Sequence, residues 1–368
     1  LPGDIASTSG KQSITAFAAA DPVFVCVISY TATSEIPGIT VAGANPDLIK
    51  YTSPADAEFL YYGKCMCVEG VPATPDGKPT PALITRTALL KGEIPSFIVD
   101  AGALVKPSVP FFSFGLDSGR NILTHAAMET TAVKRALELG EITGKQLARL
   151  SDLVVIGESI PGGTTTALAV LTALGVDAKF KVSSSMPENP HSLKNRVVEA
   201  ALARSDSMSQ NAGSSLEAVA LLGDPMIPSV AGIARGALSA GCRVMLAGGT
   251  QMTAVMLLLK LLDTRLRGLC IGTTKYVMDD RTSDLAGLAK AVSPETPVLT
   301  CDLHLEDSVK PGLRSFNQGF VKEGVGAGGA SLAAMLKSDK ITGRNLMAAI
   351  EKEYESCIES RMGQIKSG

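Results

Sequence analysis

A doubly wound α/β fold, with a mostly parallel sheet flanked by helices, is predicted by three features of this sequence. Short apolar runs recur without polar alternation, helix-periodic segments lie between them, and glycine-rich turns join several runs to the segments that follow. A strand that is apolar on both faces belongs in a sheet covered on both sides, which is where parallel strands are found. The side-chain supply agrees: 45% of the 368 residues are hydrophobic, only 4% are aromatic, and Trp is absent. The core therefore has to be built from Ala, Val, Leu, Ile and Met, which suits helices lying close on a sheet.

In chain order, 22–29 (PVFVCVIS), 95–102 (PSFIVDAG), 152–157 (DLVVIG), 242–248 (CRVMLAG), 268–273 (GLCIGT) and 297–303 (PVLTCDL) read as strands. Residues 178–182 are a further strand candidate. Helical periodicity covers 124–140, 164–174, 192–203, 227–240 and 253–262. The stretch 70–81 (GVPATPDGKPTP) reads as a surface loop. The two ends lack a strong strand, and 341–360 reads as a terminal helix starting near Thr342 or Gly343. The expected organisation is an α/β unit over 21–340 and a small helical subdomain assembled from 1–20 and 341–368.

Composition excludes several function classes. Net charge is −2 and no basic tract stands out, so nucleic acid is not expected as a partner. No apolar run reaches the roughly 20 residues of a membrane span. The start shows neither an initiator Met nor a signal-peptide pattern, and the sequence is expected to begin inside a longer natural chain. Seven scattered cysteines fit reduced thiols in the cytoplasm. Cys65 and Cys67 have no second pair at zinc spacing and only three histidines are available, so neither a metal nor another cofactor is expected. His125 and His304 read as structural or substrate-contacting groups, because no G-x-S-x-G elbow accompanies them.

Chemistry concentrates in glycine-rich turns. In 157–168 (GESIPGGTTTAL) a buried strand ends at a carboxylate, Glu158, and Gly162–Gly163 lead into Thr164, Thr165 and Thr166 at the start of a helix. Free backbone N–H groups and the dipole of a helix N-terminus favour an anion there. This is a phosphate cradle without the lysine of a Walker loop; the plain alternative is an ordinary turn with a Thr cap. Near the other end, 318–330 (QGFVKEGVGAGGA) contains G-x-G-x-x-G, but no second strand follows, so a dinucleotide reading is weak. Glu323, beside glycines and small apolar residues, fits a general base with a raised pKa, or else a solvated carboxylate paired with Lys322. The turn Gly248, Gly249, Thr250 and the lysine Lys194 are further candidates for holding phosphate or ribose, against a tight turn and a surface lysine.

Together these segments resemble the nicotinate-nucleotide:dimethylbenzimidazole phosphoribosyltransferases, within a largely archaeal and cyanobacterial branch of that family. GESIPGGTTT is similar to the family block Gly-Glu-Met-Gly-Ile-Gly-Asn-Thr-Thr, KEGVGA to Gly-Glu-Gly-Thr-Gly-Ala, and 214–250 to a Gly-Gly-x-x-Ile-Ala-Ala helix followed by Leu-Leu-Asp-Gly-Phe. Gly163 stands where the family has Asn, Ala247 where it has Asp, and Gly249 where it has the aromatic. The first 120 residues match poorly apart from FIVDAG.

The resemblance implies displacement at the anomeric carbon of nicotinate mononucleotide by an aromatic nitrogen base of dimethylbenzimidazole type, in cobalamin lower-ligand assembly, giving an α-ribotide and nicotinate. Glu323 is then the catalytic base, Glu158 its partner, and Gly162–Thr166, Lys194 and Gly248–Thr250 the nucleotide-holding groups. A homodimer is implied by the same analogy. Two other outcomes stay open: the same fold acting on adenine or another base, and a non-catalytic nucleotide-binding protein that has lost its base pocket.

Overall fold

The computed structural model describes residues 3–42, 46–69, 73, 78–208 and 214–360, with backbone alone at 206–208. The tips of the 70–81 loop and residues 1–2 and 361–368 of the expected end subdomain lie outside that set. All six predicted apolar runs are strands: β2 (Pro22–Ile28), β3 (Ser96–Asp100), β5 (Leu153–Ser159), β6 (Arg243–Ala247), β7 (Leu269–Thr274) and β8 (Val298–Cys301). Two short strands, β1 (Ile5–Ser7) and β4 (Phe112–Ser113), were not legible in the sequence. They complete an eight-stranded sheet of order β1-β8-β7-β6-β5-β2-β3-β4, parallel except for β1 at its edge.

The helices, in chain order, are α1 (Lys11–Thr15), α2 (Thr52–Tyr62), α3 (Ala82–Gly92), α4 (Thr130–Leu147), α5 (Gly163–Ala173), α6 (His191–Met208), α7 (Ser215–Leu222), α8 (Met226–Ser239), α9 (Gln251–Leu261), α10 (Lys275–Met278), α11 (Leu285–Val292), α12 (Pro311–Arg314), α13 (Ala327–Lys337) and α14 (Gly343–Tyr354). Strand residues alternate between two apolar layers, as period 2 requires. Val25, Val154, Ile156, Leu246 and Ile271 pack into the layer of α4, α5, α8 and α9. Phe24, Cys26, Val155, Met245 and Ala247 pack into the opposite layer, with α2, α3, α13 and α14. Because both layers are dry, the strands carry no polar alternation, which is the pattern their sequence shows.

Residues 178–182 are not a strand: the segment runs as irregular chain and a turn, and Phe180 has a positive φ of 62°. α14 starts where the sequence suggested, because Thr342 caps it and exchanges bonds with Asn345 in a capping box. The two chain ends meet, since the Gly343 N–H donates to Asp4 at 2.8 Å. At this junction the N-terminal segment adds β1 to the sheet beside β8.

The strand order fixes where a ligand fits. From β2 the chain runs outward through β3 and β4, then returns to the other side of β2 and builds β5 to β8 in the opposite direction. The direction reverses between β2 and β5, and in open parallel sheets the crevice beyond that switch point is the binding place.

Candidate active site

A cavity of about 600 Å³ opens at that switch point. Glu158 and Ser159, the last two residues of β5, form part of its wall. Gly162, Gly163 and Thr164 continue it. Gly162 has a φ of 80°, and a Cβ there would meet Ser34 at 3.1 Å, so the turn into α5 depends on glycine. The turn that opens α5 therefore lines the same chamber as Glu158.

Glu323 reaches the cavity from the other end of the chain. The two strand-end loops touch through glycines: a Cβ on Gly157 would lie 3.0 Å from the Gly326 Cα. That approach lets the Val325 N–H donate to the Glu158 carbonyl at 3.0 Å. It brings Glu323 close enough for its charge to be felt by Glu158. Glu323 is not paired with Lys322, whose ammonium bridges Asp280 at 2.7 Å and the Met186 carbonyl at 3.0 Å. Its carboxyl is cradled instead by the N–H groups of Gly324 and Gly328 at 3.2 Å and Thr274 at 3.1 Å, with the Thr273 hydroxyl at 3.3 Å.

Both acids are pushed out of the ordinary carboxylate range. Burial raises Glu158 to about 8 despite the hydrogen bond donated by the Gln251 amide, and the charges of Asp224 and Glu323 add to the rise. Burial raises Glu323 to about 7 against the four donors that hold its charge. These are values at which a carboxyl group exchanges protons near neutrality.

The other candidates are arranged behind this wall. Lys194 is fully buried, donating to the Thr164 hydroxyl at 2.7 Å and the Ser183 carbonyl at 2.8 Å. Burial and the neighbouring Lys322 depress its pKa to about 7. Thr165 and Thr166 are buried below the cavity surface, with the Thr166 hydroxyl on Asp224. The Thr250 hydroxyl holds Ser183, accepting its backbone N–H and meeting its hydroxyl. Gly249 lines the cavity, whereas Gly248 sits against Met252.

Ala247 has a packing explanation. A Cβ on Gly329 would come within 2.2 Å of the Ala247 Cβ, because the glycine face of α13 lies directly on β6 and β7. Gly326 and Gly329 of the G-x-G-x-x-G stretch therefore serve close contact with the sheet, Gly324 meets Pro81, and no dinucleotide βαβ unit is built there. A carboxylate at position 247 would be buried against that helix with no room.

Several residues in or behind the cavity wall escaped the sequence reading. Asp56 on α2 is buried, accepting the Ser159 and Thr80 hydroxyls at 2.7 Å each. Gln251 orients Glu158, and Asp224 carries the start of α8 through the N–H groups of Met226 and Ile227. Asp56 sits in no glycine-rich motif, a lone Asp in a helix being its only signal, whereas Gln251 directly follows the Gly248–Thr250 turn. His125 is exposed beside Thr124, and His304 contacts Asp4 at 3.0 Å, both away from the cavity lining. Among the described residues, no helix is long and apolar enough to cross a membrane.

Residues 93–306 match the sequence model of a family described as Phosphoribosyltransferase. The matched span includes Glu158, the α5 turn and Lys194, and stops short of Glu323. The chain is 50% identical over 335 residues to a UPF0284 protein of Archaeoglobus fulgidus, covering 91% of this chain and 94% of the relative. It is 44% identical to a UPF0284 protein of Sulfurisphaera tokodaii, with 90% and 93% covered. In three dimensions it is similar to the nicotinate-nucleotide-dimethylbenzimidazole phosphoribosyltransferase of Thermus thermophilus. That likeness has a TM-score of 0.59 at 18% identity over 91% of this chain and 84% of the other, and it carries the fold.

Proposed function

The chain belongs to the phosphoribosyltransferase family, and from that premise we propose that it moves ribose 5-phosphate from nicotinate mononucleotide to a benzimidazole-like or purine-like base. One observation carries the reading. Two buried acids, with pKa values raised to about 8 and about 7, share one cavity with the N-terminus of α5.

In this reading the phosphate lies against the Gly162–Thr164 turn at the start of α5, where the helix dipole favours negative charge. Lys194, buried behind the wall, stiffens that turn through the Thr164 hydroxyl and adds positive charge beneath the phosphate when protonated. A ring nitrogen of the base attacks the anomeric carbon, its lone pair forming the new C–N bond. The bond to nicotinate breaks and its electron pair leaves with nicotinate. The developing charge is oxocarbenium-like, as in other glycosyl transfers.

The ring N–H proton of the incoming base passes to the Glu323 carboxylate. Its backbone donors hold that group in one orientation, and its pKa near neutrality matches general-base work. Glu158 stays largely protonated at neutral pH because of its burial, so it orients the substrate as a hydrogen-bond donor; ionised, it would steady positive charge on the ribose. Walls such as Tyr51, Val68 and Phe320 give a flat ring an apolar place beside these acids. By the same resemblance the role would be lower-ligand assembly for cobalamin. The test is nicotinate release from nicotinate mononucleotide by the purified chain with a panel of bases. A ribotide product with any base supports the reading, and no release with any of them removes it.

A further inference from the structure

The cavity holds a third carboxylate that this mechanism does not use. Asp56 is about nine-tenths buried and lines the chamber, tied to Ser159 on one side and Thr80 on the other. Those ties locate it. Ser159 follows Glu158 in β5, and Thr80 precedes Pro81, the residue a Cβ on Gly324 would touch at 3.1 Å. Asp56 thus lines the same chamber as Glu158 and Glu323.

Its chemistry is that of an acceptor without a cation. An ionised carboxylate accepts about four hydrogen bonds; two come from hydroxyls, and among the described residues no lysine or arginine is paired with it. Burial lifts its pKa to about 6 while the two hydroxyls pull it down, so it is mainly ionised at neutral pH. A buried charge left without further donors is costly. A ring carrying only methyl groups would strip water from Asp56 and give nothing back. A ring carrying an N–H₂ group would satisfy it. Sites built around a buried acceptor reject analogues that lack the donor far more strongly than apolar pockets reject an extra methyl group.

Resting on the phosphoribosyl-transfer reading, we propose that Asp56 selects the acceptor base, favouring a heterocycle with an exocyclic amino group, of the aminopurine class, over rings that carry hydrocarbon substituents alone. Adenine and unsubstituted purine differ by that one amino group and make the cleanest pair, with dimethylbenzimidazole as the hydrocarbon-bearing ring.

Nicotinate release by the full chain is measured with each base, for the wild type and for Asp56→Asn, beside calorimetric binding of each base. The expected result is a kcat/KM at least tenfold higher for adenine than for purine or dimethylbenzimidazole in the wild type. In Asp56→Asn the adenine-to-purine ratio falls at least tenfold, because the amide offers one acceptor for which two hydroxyls already compete. Wild-type chain that uses purine or dimethylbenzimidazole as well as adenine overturns the proposal, whatever the variant does. Equal losses for all bases in the variant also overturn it, leaving Asp56 as a tie between Thr80 and Ser159. If no base releases nicotinate, the transfer reading fails, and the binding preference for adenine over purine still decides the role of Asp56.

Discussion

Replacing Glu158 with Gln should stabilise the folded chain above neutral pH and leave it little changed in acid. The carboxyl is almost fully buried and its pKa rises from 4.5 to about 8 on folding, mainly through desolvation. Below pH 4.5 the group is protonated in both states and contributes nothing. Between 4.5 and 8 the unfolded chain has lost the proton and the folded chain keeps it, so folding takes up a proton and stability falls as pH rises. Above 8 the loss levels off. At about 1.4 kcal/mol per pH unit, the accumulated penalty is roughly 4–5 kcal/mol. Gln has nothing to titrate, fills the same space, and keeps its bond to Gln251 if that amide turns over. Urea unfolding of both proteins across pH 4.5 to 8.5 gives the difference directly. It should begin near zero and grow to several kcal/mol in favour of the variant, about 5 °C in melting temperature for a chain of this size. A difference that stays flat with pH, or that turns against the variant as pH rises, would refute the claim that burial holds this proton.

The site makes further demands. Glu323→Gln should leave the affinity for nicotinate mononucleotide within a few-fold while turnover drops by roughly 10²–10⁴; calorimetry beside nicotinate release separates the two, and wild-type turnover would remove Glu323 from the mechanism. Because Glu323 accepts a proton only when ionised and burial lifts it to about 7, kcat/KM should rise with pH up to neutrality and flatten beyond it. A profile already flat from pH 5 to 7 would mean that the group titrates lower or does not act. Lys194→Met should raise KM for the nucleotide at least tenfold with a smaller change in kcat, and an unchanged KM would confine that lysine to bracing Thr164 and Ser183. Gly329→Ala places a methyl group 2.2 Å from the Ala247 Cβ and should cost about 3 kcal/mol or more by forcing α13 off the sheet, seen as a lower melting temperature; wild-type stability would contradict that packing.

What the sequence disclosed and what it hid follow from how local each signal is. Buried parallel strands announce themselves in four to seven consecutive residues, and the six long ones were readable for that reason. β1 and β4 have three and two residues and take their strand character from a neighbour, which no local pattern reports. The opposite error at 178–182 has the same root: local strand propensity does not say whether another strand lies within pairing reach. In the site, Glu158 and Glu323 stood out because glycines surround them. Asp56 and Asp224 gave no such sign, because their partners, Thr80 and Ser159 for one and Thr166 for the other, lie 24 to 103 positions away in the chain. A buried acid looks like any other acid until the hydroxyls that hold it are known.

The same contrast explains why the carboxylates can be brought together at all. An ionised acid in a dry cavity is expensive, and two facing each other more so. The fold meets that cost with fixed donors and glycine contacts instead of cations. Glu323 is held by N–H groups at the start of α13, which exist because Gly328 and Gly329 let that helix lie on the strand ends, and Glu158 by an amide at the start of α9. Lysines are present, yet Lys322 is committed to Asp280 and Lys194 to Thr164 and Ser183. Had either lysine paired with Glu158 or Glu323, the acid would titrate in the ordinary range and neither would exchange protons near neutrality. Backbone donors orient a carboxylate while leaving its pKa high, because burial outweighs them at both positions. The glycines at 157, 326, 328 and 329 therefore belong to the chemistry as much as to the packing, since each removes a side chain that would hold the two acids apart.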